Sequence, residues 1–517
     1  MPTRDAHLQF QKWAKEYGPI YSLMLGTQVL IVLSSDEVIK ELLDRRSAIY
    51  SDRLDMYIGQ TLCSAGLRPL MMRYGDTWYD IQMSTDCERC RRLTVPRRMV
   101  RKMFHTLLNI QAAKSYVPYQ SLENKQMLFE MLTQPEHFLD NIRRYSNSLT
   151  TTMTFGWRTV THDDPNLVQL FEGFNEFAVI NQTGTAGLLD FYPLLRRLPD
   201  FVLPTQAYAK KLHKAEKVLY KSHWLNCKQA IRDGTAQPCF CVDLAKQQEK
   251  EGFDDDQAAY IAGTLLEAGS DTTSSTLYGF VQAMVLFPEV QKKAQAEIDQ
   301  VVGDSRLPEM EDLPHMQYIR GCIKESMRWM PTTILGAVPH ALTKDDEYMG
   351  YRLPAGAGVM NNAYTINMDP QRHPDPRRFE PDRYKDDTQS LADSASNPDG
   401  SKRDQFTFGA GRRICAGMHV AERSLYLGIS RMLWAFDILP AKDEHGKDVL
   451  PDPEKLTQGF VCMPEPYRAT IRPRSQAKAD FVRKSWTEAQ EELDADTKQW
   501  KKVPEGMKLA KVDSAQV

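Results

Sequence analysis

The residues best suited to chemistry lie near the C-terminal end, in the stretch Phe408-Gly409-Ala410-Gly411-Arg412-Arg413-Ile414-Cys415-Ala416-Gly417. An amphipathic run over 418–433 follows at once, so Cys415 stands where a helix begins. Free backbone N–H groups and the positive end of the helix dipole favour a thiolate at such a place. Arg413 adds a fixed positive charge fit to grip a carboxylate in bidentate fashion. Gly411 and Gly417 carry no Cβ, so backbone can approach something flat and bulky. A thiolate beside a carboxylate clamp points to a haem, with iron on the sulfur and a propionate on the arginine. A lone cysteine would read more simply as a buried thiol in a glycine-rich turn, and it is the long, particular spacing that weighs against this.

A second cluster is Ala268-Gly269-Ser270-Asp271-Thr272-Thr273-Ser274-Ser275. It lies inside a run that reads as one helix, from the acidic start Asp254-Asp255-Asp256 to Phe287, with Pro288 as its stop. So much Gly, Ser and Thr is a poor choice on helix propensity alone. Hydroxyls there bond back to preceding carbonyls and can bend or widen the helix. Gly269 leaves space for a small ligand, and Asp271 with Thr272 offers an acid and a hydroxyl able to pass protons into an apolar cavity. The plainer alternative is a polar helix face in a bundle. Glu267, one turn before Asp271, reads as solvated. Glu325 and Arg328 stand at i, i+3 on one helix face, locally a common surface pair.

The spacing Phe408-x-x-Gly411-x-Arg413-x-Cys415-x-Gly417 resembles the haem-binding loop of the cytochrome P-450 family of haem-thiolate monooxygenases. The resemblance implies haem b (iron protoporphyrin IX) as cofactor and Cys415 as its axial ligand. It makes Thr272 the oxygen-activation threonine, with Asp271 as its acidic neighbour. It also implies that Glu325 and Arg328 are buried and complete a triad with Arg383, from Phe379-Glu380-Pro381-Asp382-Arg383-Tyr384, to fix the cysteine loop. The stretch 331–339 would run along the haem edge, and Gly459-Phe460-Val461 would dip into the pocket. His340 sits where some members contact a propionate, and the ordinary surface histidine is an equal alternative.

The elements that must position these groups follow the same order. Residues 20–25 and 29–33 are β-rich runs around Gly26-Thr27-Gln28, a hairpin. Ser34-Ser35-Asp36 caps a helix through Leu43. Residues 135–157, 166–177 and 210–232 are helical in pattern, the last charged and solvent-facing. Residues 353–360 look like a second small hairpin. One passage does not fit. Residues 79–97 carry two charged clusters, Cys87-x-x-Cys90 and Pro96, with no helical period. Without them Trp78 runs into Arg98-Met99-Val100-Arg101, which restores the family's Trp-x-x-x-Arg, whose two side chains face a propionate, and an unbroken helix. These residues are therefore expected to be a retained intron or a surface insertion.

Composition bounds the rest. At 517 residues and net charge -3, the chain can bury a large core and has no global attraction to nucleic acid. Nine cysteines without even spacing argue for a reducing compartment. No apolar run approaches the ~20 residues that span a bilayer. Members of this family usually begin with a membrane helix and a proline-rich hinge. The early Tyr17-Gly18-Pro19 therefore makes Met1 an expected internal methionine, and the endoplasmic reticulum membrane, cytosolic face, the implied location.

The whole reads as a mainly α fold with a small β region, one haem-enclosing domain over 1–474 and a charged tail over 475–517, solvated or a surface helix. The implied function is monooxygenation of a lipophilic small molecule with O2, in the manner of filamentous-fungal secondary-metabolite enzymes, by a monomer served by a separate NADPH-cytochrome reductase. A haem-thiolate enzyme of rearrangement or dehydration, a haem-binding sensor and the inactive product of a disrupted gene are the alternatives. The Asp271–Thr272 pair counts against the first.

Overall fold

In the computed structural model, residues 2, 4–73, 97–404 and 406–509 are described. The helix Asp255–Leu286 runs through the middle, and nearly every residue from Ser274 to Val285 is buried. Its start follows from local chemistry: Asp254 accepts from the backbone N–H of Gln257 (2.8 Å), and Gln257 returns the bond, a capping box. Its end is the Phe287–Pro288 step, after which Pro288–Val301 begins a new helix.

The small residues that weaken this central helix by propensity are what let its neighbours come close. A Cβ at Gly263 would strike the ring of Tyr220, from helix Pro204–Arg232. A Cβ at Gly269 would strike Thr150, from helix Phe138–Phe155, and one at Gly279 would meet Met330. Polar groups at the same crossings are paired across it: Ser146 Oγ donates to the Ser270 carbonyl (2.7 Å) and Asn147 Nδ2 to Ser270 Oγ (3.0 Å). Thus the Gly/Ser/Thr density serves helix packing first. Gly269 does not leave an open space, because Thr150 fills it.

The helix Met418–Ala435 that follows the cysteine is buried from Ser424 to Ala435 and packs on Val117–Thr133 and the central helix. Leu425, Leu427, Ile429, Leu433 and Trp434 join the same core cluster as Leu277 and Val281. The helix 210–232, expected to face solvent, starts earlier at Pro204 and buries Leu219, Tyr220, Trp224 and Cys227.

A five-stranded sheet lies to one side. Ile20–Leu25 and Gln28–Leu33 form the expected antiparallel hairpin. Gly358–Asn361 runs parallel to the second of these, then come His340–Ala341 and Asp52–Arg53. The second hairpin expected over 353–360 does not form. Tyr351–Leu353 pairs with Asp346–Tyr348 instead. The burial patterns give the reason: Gly358–Asn361 is buried at every position and needs a strand on each side, whereas Tyr351 and Arg352 are exposed and suit an edge.

The segment after Pro473 is not a solvated tail over its described length. Ser475 caps the helix Gln476–Ala489, whose Ala479, Val482 and Ala489 are buried at helical spacing. Phe481 meets Trp434 edge-on (5.4 Å between centroids), and Trp500 packs on Tyr119 (4.9 Å). Among the described residues no helix is long and apolar enough to cross a membrane.

Candidate active site

A largely apolar cavity of about 480 Å³ lies between the central helix and the 408–417 loop. Cys415, Phe408 and Gly417 line it from below, Asp271 and Thr272 from the central helix, and Phe460 and Val461 from the C-terminal turn. Arg101, Arg413 and His340 are also on its wall, so groups more than 300 residues apart in the chain face one space.

The loop holds its shape by its own hydrogen bonds. The Cys415 N–H donates to the Phe408 carbonyl (2.9 Å) and the Ile414 N–H to Gly411 (3.2 Å), with Gly409 and Gly411 at positive φ. The sulfur is enclosed by protein yet opens on the cavity, so its accessible surface is internal. Burial pushes its thiol up, while the N–H groups of Gly417 and Met418 and the charge of Arg101 pull the other way. A Cβ at Gly417 would touch only Cys415 Sγ, at 3.8 Å, within a 4 Å sphere. The backbone there is bare on the cavity side.

Gly411 has a different role from the one its spacing implies. It is absent from the cavity wall, and a Cβ there would collide with the Leu43 carbonyl. Its N–H donates to Asp44 Oδ1 (2.7 Å), so this glycine docks the loop on the helical turn Lys40–Arg45 and not on a ligand.

The cations on the wall are held mostly by backbone. Arg413 donates to the carbonyls of Ser51 (3.0 Å) and Met72 (2.6 Å). His340 is buried, not a surface histidine, and its Nδ1–H donates to the Tyr50 carbonyl (2.7 Å). Arg101, on helix Arg97–Leu108, points toward the Ile414 carbonyl at 3.5 Å. Arg53 joins them: it is paired with His340 in the sheet and lines the same cavity. No motif marks Arg53, because a two-residue strand has no period to read. Trp78 and residues 79–96 lie outside the described residues.

Across the cavity, Thr272 Oγ1 donates to the Ala268 carbonyl (2.8 Å), and Ser275 Oγ donates to Asp271 Oδ1 (3.3 Å). Burial raises the Asp271 carboxyl to about 6, against the pull of Arg143 and Ser275. It therefore changes protonation close to neutral pH, which suits proton transfer. Glu267 is not solvated, contrary to its sequence reading: Arg68 and Tyr220 both donate to it.

Below the loop, Glu325 and Arg328 are fully buried and joined by two bonds, of 2.7 and 2.8 Å. Arg383 Nε reaches Glu325 at 3.3 Å, the Glu380 N–H donates to it at 2.8 Å, and Arg328 holds the Asn367 carbonyl at 2.8 Å. Met327, beside this pair, accepts from Thr407 Oγ1 (3.4 Å), which ties the brace to the start of the cysteine loop.

The donor set fits a flat, iron-bearing group. A sulfur opens on the cavity beside bare backbone, the walls are apolar, and Arg53, Arg101, Arg413 and His340 on them suit two carboxylates.

Comparison with known proteins agrees. A family model described as Cytochrome P450 matches residues 2–471. Cytochrome P450 monooxygenase virE of Hypocrea virens is 49% identical over 509 residues, covering 98% of this chain and 88% of that protein. Cytochrome P450 monooxygenase fogE of Aspergillus ruber is 46% identical, covering 98% and 90%. A zebra fish cytochrome P450 structure with progesterone has TM-score 0.69 at 23% identity, over 92% of this chain and all (100%) of that one, a likeness of fold.

Proposed function

This chain belongs to the cytochrome P450 family, and on that premise we propose how its residues divide the work. The protein is a haem-dependent monooxygenase that uses O2, a substrate and a redox partner. When bound, the haem supplies the oxidising chemistry: O2, two electrons and two protons yield one hydroxylated C–H bond and one water.

Cys415 would give its thiolate to the iron, and the N–H groups of Gly417 and Met418 would steady the negative charge on sulfur. Arg101, Arg413 and His340, with Trp78 by the family pattern, hold the propionates. Phe408 and Gly417, which line the cavity beside Cys415, would bound the cofactor, whereas Gly411 acts through the loop's docking on Asp44. Asp271 and Thr272, on the central-helix wall of the cavity, would move protons, the carboxyl holding one and the hydroxyl passing one on. Glu325, Arg328 and Arg383 keep the loop in register. The observation that carries this reading is that Cys415 and the Asp271–Thr272 pair face one apolar cavity from different elements.

The substrate is a lipophilic small molecule, since the wall is mostly hydrocarbon. The match to monooxygenases of filamentous fungi supports a place in secondary metabolism. Electrons come from a separate NADPH-cytochrome reductase at the cytosolic face of the endoplasmic reticulum, and the enzyme works as a monomer. Residues 1–474 carry the haem site, and the described segment that follows packs on them as part of the same core. The test is NADPH consumption with a reductase and a panel of lipophilic compounds. Substrate-dependent consumption that disappears in Cys415→Ala is expected, and equal turnover by that variant would overturn the assignment.

A further inference from the structure

One part of the cavity wall is out of keeping with the rest. Arg68 from the loop after Leu62, Glu216 from helix Pro204–Arg232 and Glu267 from the central helix all line the cavity, and Arg68 donates to both carboxylates. Its Nε also donates to Ser64 Oγ (3.0 Å), and its guanidinium lies over the Phe177 ring at 4.4 Å. The Tyr220 hydroxyl donates to Glu267. Oε1 of Glu216 is buried and finds no hydrogen bond of normal geometry among the described residues. The Tyr260 hydroxyl lies beside Glu216 and His213 Nδ1, 2.8 Å from the latter, and interacts with both.

Glu267 helps raise the Asp271 carboxyl, but neither that effect nor a tie between elements calls for two carboxylates on one arginine. One buried and two half-buried charges cost more to desolvate than apolar packing that would join the same elements. Two carboxylates face one arginine, and although burial lifts that of Glu216 to about 7, their oxygens still offer more lone pairs than the guanidinium fills.

We propose that Arg68, Glu216 and Glu267 form a polar anchor that receives a hydroxyl group of an otherwise apolar substrate. This rests on the haem monooxygenase reading of the same cavity. The spare acceptor on Glu216 accepts a hydrogen bond from the substrate hydroxyl, and Phe177 supplies a flat apolar surface next to it. Glu267 precedes Thr272 by five residues, about 7.5 Å along the helix axis. By holding the hydroxyl at one part of the wall, the anchor restricts which carbons of the substrate can face Cys415.

The test uses the haem-loaded protein and a matched pair of probes, 4-phenylphenol and biphenyl, with binding read from the Soret band. The phenol should bind at least about tenfold more tightly than the hydrocarbon, as expected for a hydrogen bond to a charged acceptor. Glu216→Gln and Glu267→Gln should shrink that ratio while leaving the biphenyl affinity and the reduced carbon-monoxide spectrum near wild type. Equal affinities for the pair in the wild-type protein would overturn the anchor without touching the monooxygenase reading, as would a ratio unchanged in both variants. A wild-type protein that takes up no haem would overturn both. The wild-type comparison decides the matter even if a variant fails to fold.

Discussion

At Cys415, burial raises the thiol, while two backbone N–H groups and Arg101 favour the thiolate. The balance is tipped by whatever cation meets the sulfur, because a metal ligand must be deprotonated. Asp271 presents the reverse problem, a carboxyl that burial keeps protonated up to about pH 6. Its folded pKa lies above its unfolded value, so the native state gains from that proton at low pH and loses the gain as pH rises through about 6. Turnover should therefore show an inflection near that pH, absent in Asp271→Asn; an unchanged profile would remove Asp271 from the proton path. Thr272→Ala should raise peroxide release per NADPH consumed, measured by product-to-NADPH ratio, and unchanged coupling would exclude its hydroxyl. These side chains are legible in the sequence because each sits in a spaced motif. Arg53, Arg68 and Glu216 are not, because the first two come from segments without a repeating pattern, the third from a helix whose charges read as solvent-facing, and all reach the cavity only through tertiary structure. Gly411 is a half-legible case, its spacing plain but its neighbour, Leu43, hidden until the chain is folded.

Elements place these side chains through close contacts between helices. The central helix is legible from its acidic cap and its terminal proline, yet the purpose of its glycines is not, because sequence names no partner across a crossing. Gly263 and Gly279 lie against Tyr220 and Met330, so Gly→Val there should cost on the order of 1–3 kcal/mol by overpacking, read from denaturation midpoints. The Glu325–Arg328–Arg383 brace makes a sharper case. Glu325→Ala would strand Arg328, which is fully buried, and removing one partner of such a pair costs about 3–5 kcal/mol. The variant should lose haem at lower denaturant than wild type; the same midpoint for both would deny the brace its role. The misread hairpin over 353–360 marks the limit of local patterns: a turn is visible in Pro354-Ala355-Gly356, but the sheet each flanking strand joins depends on residues far away.

For the whole molecule, the mainly helical fold with a small sheet follows from helix signals along the chain, and relatives and solved structures share it. What composition concealed is the C-terminal packing. Charge dominates the segment after Pro473, yet a sparse stripe of Ala479, Val482 and Ala489 docks it against the core, and Trp500 covers Tyr119. A chain ending at residue 474 should consequently lose solubility or haem content. The claim on which everything else stands is that Cys415 binds haem iron through its thiolate. The most direct measurement is the reduced carbon-monoxide difference spectrum of the purified protein and of Cys415→Ala. A thiolate-type Soret band in the wild type and none in the variant is the predicted result; the same band in both would contradict it.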